Sequence, residues 1–135
     1  MQWSKTYETG NVNVDGQHKE IFRLVQHVLD ADAFSSRNEK IETAMGFLSE
    51  YAVRHFTSEE ALMKESQYPD YDRHKAQHDN FVKEIINIVN RFKKEGDTTS
   101  INETINNFVV SWLKEHIMDS DKDLAEFYKK WKIAN

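Results

Sequence analysis

Four glycines and one proline in 135 residues give this chain few places to turn. The long segments between them carry apolar residues at intervals of three and four instead of alternating ones, the period of a helix with one buried face. The expected fold class is all-α: an antiparallel up-down-up-down four-helix bundle with an N-terminal extended arm and a short C-terminal helix. One domain spanning 1–135 fits the length, which is sufficient to bury a real core.

The arm covers residues 1–15, and its larger side chains, Trp3, Tyr7, Val12 and Val14, are expected to dock on the bundle. Residues 16–131 form the bundle and its tail. The first helix is placed from near Gly16, with His18, Ile21, Phe22, Val25, Val28 and Leu29 inward. Ser36 with Glu39 reads as a capping box for the second, whose stripe runs through Ile41, Ala44, Met45, Leu48, Ala52, His55, Phe56, Glu59, Leu62 and Met63. After the break at Tyr68-Pro69-Asp70, the third turns His74, His78, Phe81, Val82, Ile85, Val89 and Phe92 inward and stops near Gly96. Ser100 with Glu103 caps the fourth, with Ile101, Ile105, Phe108, Val109, Trp112, Leu113 and His116 in its stripe. An amphipathic tail, Leu124 to Trp131, is expected to close over the bundle.

The stripes contain groups that do not belong in an apolar core. In this topology the start of the first helix, the end of the second, the start of the third and the end of the fourth meet at one end. His18, His55, Glu59, His74, His78 and His116 occupy those places. Residues four apart share a helix face, so His55 with Glu59, and His74 with His78, form two-toothed clamps. A single inward histidine is ordinarily a core residue bonded to a carbonyl or water. Five of them with a carboxylate are too costly to bury without a partner, since each unsatisfied group loses about 1–3 kcal/mol.

A metal supplies that partner. The chain has no cysteine, so its ligands must be nitrogen and oxygen, a donor set that suits iron and also zinc, manganese or copper. With an acidic side chain near the end of the fourth helix, the ligand count exceeds what one ion holds and points to two ions bridged by carboxylates. If three histidines complete one ion, the remaining two leave the other a position short, open to a small diatomic ligand. Charge excludes other classes: a net −5 with no basic stripe argues against a nucleic-acid partner. No apolar run approaches the roughly 18–20 residues of a spanning helix, so membrane insertion is not expected and a cytoplasmic location is.

The motifs D-G-Q-H ending at His18, H-F-T-S-E-E from His55, H-K-A-Q-H from His74 and H-I-M-D-S-D from His116 resemble those of the hemerythrins, in particular the single-domain bacteriohemerythrins. The resemblance covers almost the whole chain. It implies two non-haem irons with a bridging oxo or hydroxo group: His74, His78 and His116 on the saturated iron, His18 and His55 on the open one, and Glu59 and Asp121 bridging. It also implies reversible dioxygen binding, for delivery, storage or sensing, with nitric oxide as another diatomic candidate. Asp121 is chosen on the family pattern alone. In a regular α-helix a residue five beyond His116 lies about 140° away, so the helix must end or distort there.

Phe56, Leu113 and Ile117 neighbour the ligands and are expected to wall the oxygen pocket. His27, on the opposite face from His18, is expected at the surface. The alternative function is a di-iron enzyme acting on peroxide, nitric oxide or another small oxidant. Against it, the paired Glu-x-x-His motifs of the carboxylate-rich di-iron proteins are missing and no further acid or base stands out.

Overall fold

The structure, a computed structural model, describes residues 3–30, 37–95 and 103–135. After a 3-10 turn at Lys5–Tyr7 come α1 (Val12–Asp30), α2 (Arg37–Ser66) and α3 (Tyr71–Glu95). The last stretch is one right-handed helical path of four parts: a π segment Ile105–Val110, α4 (Ser111–His116), a second π segment Ile117–Asp121, and α5 (Lys122–Ala134). No strand occurs among the described residues, and no helix is long and apolar enough to cross a membrane. Ser36 and Ser100, the expected caps, and Gly96 and Ile101 lie outside the described residues.

The first helix starts at Val12, ahead of the expected Gly16, because a cap is present there. Asn11 Oδ1 accepts the Val14 N–H at 3.1 Å, meeting one of the donors a helix start leaves open. Asp15 ties the preceding turn down by accepting from the Thr9 N–H at 2.9 Å and the Thr9 hydroxyl at 2.8 Å. The arm docks as expected through Trp3 and Tyr7, whose rings pack on Phe22 at 5.5 and 5.2 Å. Val12 does not join it and stands 85% exposed, whereas Val14 is buried.

Ile21, Val25 and Val28 of α1 interdigitate with Met45, Leu48 and Ala52 of α2, Phe81, Ile85 and Ile88 of α3, and Ile105, Val109 and Leu113 of the fourth rod. This core lies along the middle of the bundle, and the polar cluster takes one end of it. At that end α5 folds against α2: Leu124 is buried, Phe127 packs on Tyr68 at 5.0 Å, and Tyr128 donates to Glu65 at 3.1 Å.

The reversal from α2 to α3 decides how the second and third sets of polar residues face each other. Gln67 adopts φ 55°, the Tyr68 N–H bonds the Met63 carbonyl at 2.9 Å, and the Gln67 N–H bonds Lys64 at 3.3 Å. This is a Schellman ending with a side-chain-bearing residue where glycine is favoured. Gln67→Gly should therefore raise the stability of the metal-free protein by up to about 1 kcal/mol, the steric relief outweighing the added unfolded-state entropy. A urea midpoint at or below that of the parent would contradict this account.

Candidate metal centre

His18 from α1, His55 and Glu59 from α2, His74 and His78 from α3, and His116 and Asp121 from the fourth rod meet at one end of the bundle, each no more than 5% exposed. They fall into two overlapping groups. Glu59, His74, His78, His116 and Asp121 converge on one point, and His18, His55, Glu59 and Asp121 on another. The shared carboxylates lie between the two sets of imidazoles. His18 Nε2 is 2.8 Å from Asp121 Oδ2, His74 Nε2 3.1 Å and His116 Nε2 3.0 Å from Asp121 Oδ1. His55 and His78 Nε2 are 3.3 and 3.1 Å from Glu59 Oε1.

Apart from His78 Nε2 to Glu59 Oε1, at 3.1 Å, this carboxylate–imidazole proximity is not hydrogen bonding. The Nε2 atoms of His18, His55 and His74, Glu59 Oε2 and both Asp121 oxygens are buried with no hydrogen-bond partner. His78 and His116 bring their Nε2 atoms to 3.2 Å of each other. Such a convergence of lone pairs in a dry core is unfavourable unless a cation takes them up. The donor set is imidazole and carboxylate, which fits a first-row divalent or trivalent metal.

The far side of three rings is held in place. His55 Nδ1 lies 2.7 Å from Gln17 Oε1, His116 Nδ1 2.7 Å from Gln77 Oε1, and His78 Nδ1 2.9 Å from Glu60 Oε2. Ser120 donates to the same Gln77 oxygen at 2.7 Å. An Nδ1–H donated outward leaves the Nε2 lone pair pointing inward, the tautomer a metal ligand requires. Sequence reasoning missed these partners, because each acts on a ring of another helix. Gln17 and Gln77 both directly precede a core histidine, and that repeated Gln-His pair was the available signal.

Asp121 reaches the cluster because the fourth rod distorts where it must. Ile117–Asp121 is a π segment, and the Lys122 N–H bonds the Ile117 carbonyl five residues back. The wider turn brings residues five apart close to register, which offsets the angular mismatch expected of a regular helix.

A family model, the hemerythrin HHE cation binding domain, matches residues 9–128. The chain belongs to the hemerythrin family. It is 35% identical to a bacteriohemerythrin of Methylococcus capsulatus over 90% of this chain and 92% of that protein. It is 30% identical to a myohemerythrin of Theromyzon tessulatum over 89% and 87% of the two chains. A crystal structure of wild-type hemerythrin superposes with a TM-score of 0.81 at 30% identity, covering 95% of this chain and 97% of that one.

Around the centre of this hemerythrin-family chain the wall is aromatic and aliphatic. Phe56 stacks on His78 at 4.1 Å and Trp112 on His116 at 4.4 Å. Leu113 and Ile117 are buried. Phe56 sits closer to His78 than to His55, whose ring is 5.8 Å away, and it also lines a cleft of about 260 Å³ between α2 and α3 with Glu60 and His78. His27 is exposed, as expected, with Arg23 at 3.1 Å.

Without metal, protons take the place of cations. Burial opposes charge on His74, but its close contacts with Asp121 and Glu59 raise it to about 9. Burial and the Asp121 charge push Glu59 up, yet His55 and His74 pull it down to about 2. On His116 burial prevails over Asp121 and lowers it. The raised His74 stabilises the folded metal-free protein fully below its ordinary 6.5, and this is lost as pH rises through about 9. The depressed Glu59 contributes above its ordinary 4.5 and is lost as pH falls through about 2. The metal-free protein should thus gain most from this pair between pH 4.5 and 6.5. Metal affinity should climb from pH 6.5 to 9, as the competing proton leaves His74. Denaturant midpoints of chelated protein, with calorimetric titrations in two buffers of different ionisation heat, check both; affinity independent of pH over this interval would contradict the assignment.

Proposed function

We propose that this chain binds dioxygen reversibly at a pair of non-haem irons joined by an oxo or hydroxo bridge, for delivery, storage or sensing. The observation that carries the reading is the inequality of the two overlapping ligand groups, three histidines against two, around a shared Glu59 and Asp121. Held by three histidines on one side and two on the other, with Glu59 and Asp121 shared, two ions of six positions each would have one position to spare beside His18 and His55. When bound, the irons supply reversible electron transfer to a small diatomic ligand; nitric oxide would suit the same position.

The chain's own residues hold and shield the centre. Gln17, Gln77 and Glu60 orient His55, His116 and His78 through their outer nitrogens. Leu113 and Ile117, with Phe56 against His78, would serve as an apolar wall that keeps out water, and with it the protons and anions that would displace the bound gas. An enzymatic role finds less support. Among the described residues, the only buried polar side chains outside the seven are Ser66 and Ser120, and both are already hydrogen-bonded. Neither is a general acid or base suited to oxidation chemistry.

The deciding experiment is the visible spectrum of anaerobically reduced protein before air, after air and after flushing with argon. A band that appears and then reverses supports carriage, and steady consumption of oxygen by the protein with reductant would overturn it. Iron analysis should give two per chain. Glu59→Ala should lower that ratio and His27→Ala should leave it unchanged. One tightly bound ion in the parent protein defeats the dinuclear reading.

Leu113→Asn tests the wall. Decay of the oxygenated band in stopped flow should quicken with both irons retained, because the amide admits water beside the gas. If Leu113 only fills volume, the variant unfolds more easily and the band decays at the parent's rate.

A further inference from the structure

The two halves of the bundle repeat each other. Gln17 and His18 on α1 face His55 and Glu59 on α2, while Gln77 and His78 on α3 face His116 and Asp121 on the fourth rod. Two outer contacts match, Gln17 to His55 and Gln77 to His116, both at 2.7 Å, while the Glu60 contact to His78 has no image on His18. The inner contacts match as well. His18 approaches Asp121 at 2.8 Å where His78 approaches Glu59 at 3.1 Å. His55 stands 3.3 Å from Glu59 where His116 stands 3.0 Å from Asp121. Exchanging α1 with α3 and α2 with the fourth rod therefore carries His18 onto His78, His55 onto His116 and Glu59 onto Asp121. The extra residue between His116 and Asp121 is absorbed by the π segment.

One ligand has no counterpart. His74 precedes His78 by one turn, and the residue one turn before His18 is Val14, inside α1 and only 4% exposed. His74 brings Nε2 to 3.1 Å from Asp121 Oδ1 within the group of three histidines, and the group of two holds no image of it.

We propose that Val14 determines which coordination position stays free: it occupies the place of the missing sixth histidine, and its isopropyl group keeps that place buried without offering a donor. The inference rests on the dinuclear reading above. When every other ligand of one ion has its image on the other, the position left over is the image of the one His74 takes.

The test uses azide as a small anionic probe of the free position in the fully ferric protein, with iron content and circular dichroism measured alongside. The parent should hold two irons and bind one azide per pair. Val14→His should keep two irons and bind azide about a hundredfold more weakly or not at all, because a tethered imidazole competes at high effective concentration. His74→Val, the reciprocal change, should open a second position and take two azides per pair. The exchange variant Val14→His/His74→Val should return to two irons and one azide.

A folded Val14→His protein with two irons and the parent's azide affinity overturns the proposal. If that single variant does not fold or load, the exchange variant decides: two irons with one azide support the proposal, and any lower count overturns it. A parent holding fewer than two irons would sink the dinuclear reading itself. A parent with two irons and one azide beside an unaffected Val14→His sinks only the role of Val14.

Discussion

Two carboxylates buried among five imidazoles, with almost no access to water, form the constraint on which this molecule is organised. Glu59 and Asp121 would be expensive to bury alone, and histidine rings around them relieve that cost only if protons or metal ions supply positive charge. The surrounding structure meets this demand in layers. Glutamine and glutamate side chains from neighbouring helices fix three rings, aromatic faces of Phe56 and Trp112 cover two of them, and α5 closes the end. The polar cluster and the apolar core are thus mutually dependent: the bundle holds the ligands dry, and the ligands join all four helical rods.

Much of this was legible in the residues because helical period and chemistry coincide. His18, His55, Glu59, His74, His78 and His116 fall in the same stripes as Ile21, Phe56, Phe81 and Leu113, so a reading of the inward faces also reads the candidate ligands. What escaped it was local backbone behaviour that a fixed period cannot represent. Asn11 begins the first helix earlier than Gly16 would, since a side-chain cap outweighs a flexible residue in deciding where a helix starts. Asp121 breaks α periodicity, and only the π segment explains how a residue five beyond His116 reaches the same cluster. Gln17, Gln77 and Glu60 were missed for another reason: their partners lie on other helices, so the periodicity of one helix does not point to them, and only the repeated Gln-His pair hinted at two of the three.

The environment of the five rings is uneven in a way relevant to chemistry. His78 has a carboxylate on its outer nitrogen, His55 and His116 have neutral amides, and the outer nitrogens of His18 and His74 have no hydrogen-bond partner. A carboxylate makes an imidazole a stronger donor than an amide does. The group of three histidines therefore includes the most electron-rich ring, while the group of two contains none of this kind. On the dinuclear reading, ligand number and ligand strength would favour the same side of the centre.

Each half of the bundle also lends its carboxylate to the other. Asp121, near the C-terminal end, stands against His18 near the beginning, and Glu59 of α2 stands against His78 of α3. A cut in the turn at Gln67–Asp70 would leave two hairpins, each with imidazoles and a single carboxylate, and neither with the shared pair. Ions bound at this centre would then act as clasps between fragments, so that reassembly of the cut halves and recovery of the complete coordination shell become one and the same event.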